Sequence, residues 1–158
     1  MNEQFKKDLE IGKEAEQIVF NVFSALDPDH KFEMVGGCRD CFYLGDILAL
    51  DKDGRRIYIE VKNDSRIAET GNILCEEEVY YKRHDYYGKG NMQSNGDIYA
   101  VVSQQQRKIY VCDYECLRRN YRKGVYKVID HPTQTTYCYL LELCLLKKFG
   151  GLISVVNY

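Results

Sequence analysis

Between residues 5 and 26, apolar side chains recur at 5, 9, 15, 19, 22, 23 and 26. This three-and-four spacing predicts an amphipathic helix, closed by the turn-forming Asp27-Pro28-Asp29-His30. After that the period shortens to two. Residues 32–37 predict a short strand running into a Gly-Gly turn, and residues 46–50 and 56–62 predict a hairpin around Asp51-Lys52-Asp53-Gly54. Residues 96–103 and 108–113 flank the polar Gln104-Gln105-Gln106-Arg107 and predict a second strand pair, followed by a basic helix over 114–124. Residues 135–143 read as a last strand before a short helix at 144–150. The expected fold is α/β (α+β), a central mixed β-sheet flanked by helices, in a single domain spanning residues 1–158.

Composition narrows the function classes. The 158 residues carry 22 Lys and Arg against 24 Asp and Glu, a net charge of −2, so no global field pulls the chain toward a polyanion. A nucleic-acid site has to be local. The first residues lack a signal-peptide core, and no run approaches the roughly 18 apolar residues of a membrane span, so the expectation is a cytoplasmic protein without membrane contact. Seven cysteines, an odd number, then read as free thiols.

One strand raises a question of chemistry. In residues 56–62 the period of two sends Ile57, Ile59 and Val61 to one face and Tyr58, Glu60 and Lys62 to the other. A hairpin turning about Asp53 sets Asp46 opposite Glu60, so two carboxylates and an ammonium share one patch. A plain solvated face, with Lys62 offsetting two acids, explains that much. Glu16 adds a third acid. It lies within the apolar stripe of the first helix, where a carboxylate needs a partner. Either it sits at the stripe's edge or pairs with a lysine, or it faces the site of Asp46 and Glu60. Clustered carboxylates without His or Cys suit a hard divalent cation, Mg²⁺ or Mn²⁺, and the chemistry such an ion supports beside a lysine is phosphodiester hydrolysis.

Asp46, thirteen intervening residues, and then Glu60-Val61-Lys62, with Glu16 on the first helix, resemble the signature of the PD-(D/E)xK nuclease superfamily. The resemblance implies a restriction-endonuclease-like core, also seen in Holliday-junction resolvases, and a metal-dependent endonuclease acting on DNA. By position, Asp46 and Glu60 would bind Mg²⁺ or Mn²⁺, Val61 would add its carbonyl, Glu16 would assist directly or through water, and Lys62 would be the catalytic lysine. Gly45 stands where the signature has proline.

Elsewhere, Lys82, Arg83 and Lys89 interleave with tyrosines in residues 80–96, the mixture that binds phosphates and stacks on bases, and Arg118, Arg119 and Arg122 form a second basic cluster. A polar loop and a solvated helix face are the plain readings of the two. Asn72 and Glu76 share a strand face and could serve the site from a third strand. Cutting both DNA strands with one active site per chain takes two chains, which makes a homodimer an expectation of that task. The rivals are a non-catalytic nucleic-acid-binding or assembly protein on the same fold, and a zinc module held by Cys38, Cys41, Cys112 and Cys116.

Overall fold

The computed structural model describes residues 3–37 and 44–158. Helix α1 (Glu3–Leu26) is followed by β1 (Lys31–Met34), β2 (Ile47–Leu50), β3 (Arg56–Asn63), α2 (Ile67–Thr70), β4 (Asn72–Tyr81) and β5 (Tyr86–Lys89). After a 3₁₀ turn come β6 (Ile98–Ser103), β7 (Lys108–Asp113), α3 (Tyr114–Asn120), β8 (Val125–Asp130), β9 (Gln134–Glu142), α4 (Leu143–Lys148) and β10 (Leu152–Asn157). No helix among the described residues is long and apolar enough to cross a membrane.

Among the described residues these strands form a six-stranded sheet, β1-β2-β3-β6-β7-β10, and a four-stranded sheet, β5-β4-β9-β8. The larger sheet is mixed: β3 and β6 run parallel and its other neighbours antiparallel. The fold is therefore α+β with a central mixed sheet flanked by helices, as the sequence predicts. Strand β6 lies in its middle, and its unbroken Ala100-Val101-Val102 is buried because both faces are covered. Ala100 and Val102 pack with Ala15 and Val19 of α1 and with Ile47 and Ile59 of the hairpin. Tyr99 and Val101 face the other way, into a core shared with Ile73 and Cys75 of β4, Leu117 of α3, Leu141 of β9 and Leu146 of α4.

Three strands escape the sequence reading. Residues 86–89, read as part of a polar loop, pair with β4. Residues 125–130 pair with β9, and residues 135–143 are not the last strand, because β10 follows α4 and pairs with β7. All three are sheet edges whose side chains are largely exposed, so the alternation that marks a half-buried strand is missing. The stripe of α1 is also shorter than its pattern: Leu9 is 46% exposed, because the helix outruns the sheet and packs from about residue 11 onward.

The core under Leu117 and Leu146 joins the two sheets. Leu117→Ala is expected to lower stability by about 2–5 kcal/mol, and urea unfolding followed by far-UV circular dichroism and by tyrosine fluorescence should shift as one transition. Two separated transitions would mean that the sheets unfold independently.

Candidate active site

The site begins with the hairpin register. Ile47 lies opposite Ile59 and Ala49 opposite Ile57, and Asp46, the residue before this ladder, bonds to β3 at Ile59 and Val61, on either side of Glu60. Ile57, Ile59 and Val61 go to the α1 core, which leaves Glu60 and Lys62 on the opposite face. Asp46 is fixed by three backbone bonds and one side-chain bond. Its N–H donates to the Ile59 carbonyl at 2.9 Å, its carbonyl accepts from Val35 and Gly36, and its Oδ2 accepts from the Val61 N–H at 2.8 Å.

Gly45 is required here. Its φ is +150°, a conformation that side chains rarely adopt, and a Cβ on it would lie 2.7 Å from the Ile59 carbonyl oxygen. The departure from proline therefore has a local cause: β3 passes against the residue that introduces Asp46.

Around this hairpin opens a cleft of about 940 Å³. Asp46, Glu60, Val61 and Lys62 line it from the hairpin, Glu16 from α1 and Glu76 from β4. Glu16 thus faces the same cleft as the two hairpin acids, and not a lysine buried in the core. Glu76 binds Lys62 with an Nζ to Oε1 distance of 2.9 Å, the two side chains being 32% and 20% exposed. Asn91 holds that strand in place: its Oδ1 accepts from the Glu76 N–H at 2.8 Å and its Nδ2 donates to the Tyr99 hydroxyl at 2.8 Å. Asn63, next after Lys62, has a buried Oδ1 with no hydrogen-bond partner among the described residues.

The electrostatics follow from four acids around one ammonium. Burial, then repulsion from Asp46, raises the Glu60 carboxyl from its ordinary 4.5 to about 8, with Lys62 pulling the other way. Glu16 rises to about 7 through burial and Asp46, against Lys13. Asp46 is raised too, chiefly by burial, which the Val61 N–H and Lys62 oppose. For Lys62, burial lowers the pKa, but Glu76 and Glu60 more than reverse this, so it stays above its ordinary value and remains an ammonium at neutral pH.

The basic residues fall elsewhere. Of those named from the sequence, Lys89 lines the cleft, whereas Lys82, Arg83, Arg118, Arg119 and Arg122 do not. Lys82 pairs with Asp130 at 2.7 Å and donates to the His131 carbonyl, tying the tip of the β4–β5 hairpin to the turn after β8. Arg118 donates to the Ser94 and Gly96 carbonyls and lies 4.5 Å from the Tyr114 ring centroid. Arg119 pairs with Glu115, and Arg122 with Glu77. Arg83 is exposed at the hairpin tip.

Cys38 and Cys41 lie outside the described residues. Cys112 is fully buried, its thiol pushed up to about 12 chiefly by burial, and the Cys116 thiol donates to the Phe149 carbonyl. Among the described residues no three side chains of His, Cys, Asp or Glu are grouped so as to enclose a metal ion by themselves. Glu76 is the site residue that sequence reasoning undervalued. Its strand face was legible, but its pairing with Lys62 joins the two sheets.

No family model matches the sequence, and no curated protein matches it. Among solved structures the chain is similar to a bacterial homing endonuclease, I-Ssp6803I, at 16% identity and a TM-score of 0.48, over 79% of this chain and 74% of that one.

Two expectations follow from this geometry. Glu60 and Glu16 bind protons more tightly folded than unfolded, so their contribution to stability is full below about pH 4.5 and is lost as pH rises through about 7 and 8. In EDTA, urea unfolding should give lower stability at pH 9 than at pH 5, and Glu60→Gln should be stabilising at pH 9 while near neutral at pH 5. A flat profile would contradict the crowding. Gly45→Ala should cost about 1–3 kcal/mol through backbone strain, read in the same assay.

Proposed function

We propose that this protein is a metal-dependent endonuclease that hydrolyses DNA phosphodiester bonds, with a restriction-endonuclease-like core of PD-(D/E)xK type. The observation that carries the reading is the hairpin register, which sets Asp46 beside Glu60 with Lys62 two residues on, in a cleft that Glu16 also lines.

The donors present suit Mg²⁺ or Mn²⁺. They are hard oxygens, and the carboxyls of Glu16 and Glu60 are raised by burial and then by repulsion from Asp46, both of which a divalent cation offsets. Asp46 would bind through Oδ1, since Oδ2 is taken by Val61. The Ile59 carbonyl and the Val61 N–H both face β2, so the Val61 carbonyl faces that side as well. Two carboxylates, this carbonyl and water make an ordinary magnesium set. When bound, the metal supplies polarisation of a phosphoryl oxygen and a lowered pKa for a coordinated water.

The protein's own groups do the rest. Because Lys62 stays protonated, it is not the general base; it donates hydrogen bonds to the attacking water or to the phosphoryl oxygens as negative charge builds. Glu76 keeps the ammonium over the cleft. Glu16 offers an acceptor that orients water.

The Lys62–Glu76 ion pair also favours a second reading, in which the cluster is a static charged network in a non-catalytic nucleic-acid-binding protein. Metal-dependent turnover separates the two. With labelled duplex, single-stranded, flap and four-way-junction DNA, wild type should cut in Mn²⁺ or Mg²⁺ and not in EDTA. Lys62→Ala should lose about 10²–10³-fold in rate, the scale of removing one transition-state donor, while still binding metal by calorimetry. Asp46→Asn and Glu60→Gln should lose both activity and metal affinity. Equal metal affinity in all three variants, or undiminished cutting by Lys62→Ala, would overturn the assignment.

A further inference from the structure

The β4–β5 hairpin carries four tyrosines in two directly opposed pairs, Tyr80 with Tyr87 and Tyr81 with Tyr86. Successive strand residues face opposite ways, so the pairs lie on different faces. Tyr80 and Tyr87 pack together with ring centroids 4.6 Å apart, Tyr87 stacks on Tyr137 of β9, and the Tyr80 hydroxyl donates to Asp85. That face packs on β9 and leaves Tyr87 53% exposed, outside the cleft that holds Lys62. Tyr81 and Tyr86 instead line the cleft that holds Asp46, Glu60 and Lys62, and they are 39% and 60% exposed.

Their rings are nearly parallel, 16° apart in plane, with centroids 6.4 Å apart. Gly88 makes this arrangement possible. A Cβ at that position would stand 2.8 Å from Tyr81 Cε2 and 3.5 Å from Tyr86 Cε1, so any side chain would push the Tyr81 ring out of its position across the strand. The result is a pair of near-parallel, exposed rings lining an acidic cleft, with Lys89 on the same strand as Tyr86 also lining it.

The charge of the cleft decides what this surface is for. Five carboxylates, Asp8 among them, line the cleft with Lys62 and Lys89, and the other basic residues named from the sequence lie outside it, so backbone electrostatics alone hold a polyanion poorly. Stacking on tyrosine is indifferent to that charge. It does require a base face, and in a continuous duplex each face is covered by the neighbouring base pair. We propose that Tyr81 and Tyr86 are a stacking platform for an unpaired base beside the scissile phosphate, so that the substrate is DNA with a single-stranded segment, such as a flap or a frayed end. This rests on the nuclease reading and adds the substrate class to it.

The test measures fluorescence anisotropy of a labelled single strand, a 5′ flap and a continuous duplex of the same sequence, with Ca²⁺ in place of Mg²⁺. Wild type, Tyr81→Ala, Tyr86→Ala and Tyr86→Phe are compared, and the Mg²⁺ cleavage panel is run alongside. The alanine variants should lower flap and single-strand affinity relative to duplex affinity by about 10-fold, the effect of losing one stacked base, and Tyr86→Phe should keep the wild-type ratio. An equal loss on all three substrates, or no loss on any, would overturn the platform. If duplex is cut with metal while the affinity ratios ignore the tyrosines, this inference alone fails. If wild type binds and cuts no DNA of any form, the nuclease reading fails and takes this one with it.

Discussion

The hydrogen bond from the Val61 N–H to Asp46 Oδ2 is the contact on which the site depends. It ties the first residue of the hairpin to the strand that carries Glu60 and Lys62, at the point where β2 begins and the ladder no longer constrains the chain. Because strand side chains alternate, a slip of one residue would turn Glu60 and Lys62 into the α1 core and send Ile59 and Val61 to the cleft. The apolar packing of Ile47, Ile59 and Val61 against α1 forbids that slip, so the core that stabilises the sheet also fixes the register of the charges. Gly45 completes the arrangement by letting the chain approach Ile59 closely enough for the bond to form.

This dependence explains why the hairpin was legible in the sequence. Its turn, its alternation and its apolar face are all local, and each points to the same register, which brings Asp46 to the stretch of β3 that carries Glu60. Glu16 was legible for a related reason, since a carboxylate inside an apolar stripe contradicts its surroundings and so attracts attention. The smaller sheet was obscured because its edges have no buried face to read. Every side chain of residues 125–130 is exposed, so Val125, Tyr126 and Lys127 follow one another without an inside and an outside. The tyrosines and cations of residues 80–87 look like a polar loop for the same reason. Arg118 illustrates the opposite error: its sequence neighbours suggest a solvated basic face, yet its guanidinium closes two backbone carbonyls of the 94–96 segment, which spacing cannot reveal.

Stability alone does not account for the cleft. Burial, with repulsion from Asp46, leaves Glu16 and Glu60 holding protons near neutral pH, a state that an amide or apolar residue at either position would avoid. Local arrangements that work against folding free energy mark places where the fold serves something else. Here the unfavourable charge sits on a hairpin whose apolar face is fixed against α1 and on a helix position beside the buried Ala15 and Val19.

The Lys62–Glu76 pair gives the same argument a direction. Breaking a partly buried pair by removing one partner leaves an uncompensated charge, so Lys62 keeps its proton as long as an anion stands beside it. Under the proposed function, a phosphate entering the cleft would be another such anion, competing with Glu76 for the ammonium without asking Lys62 to titrate. The ion pair therefore holds the lysine in its charged form, and its position across the gap between the two sheets keeps Nζ in the cleft that the hairpin acids also line. Glu76 belongs to a different sheet from Lys62, so the spacing of these sheets, set by the core around Tyr99 and Leu141, determines how far the ammonium stands from Asp46 and Glu60.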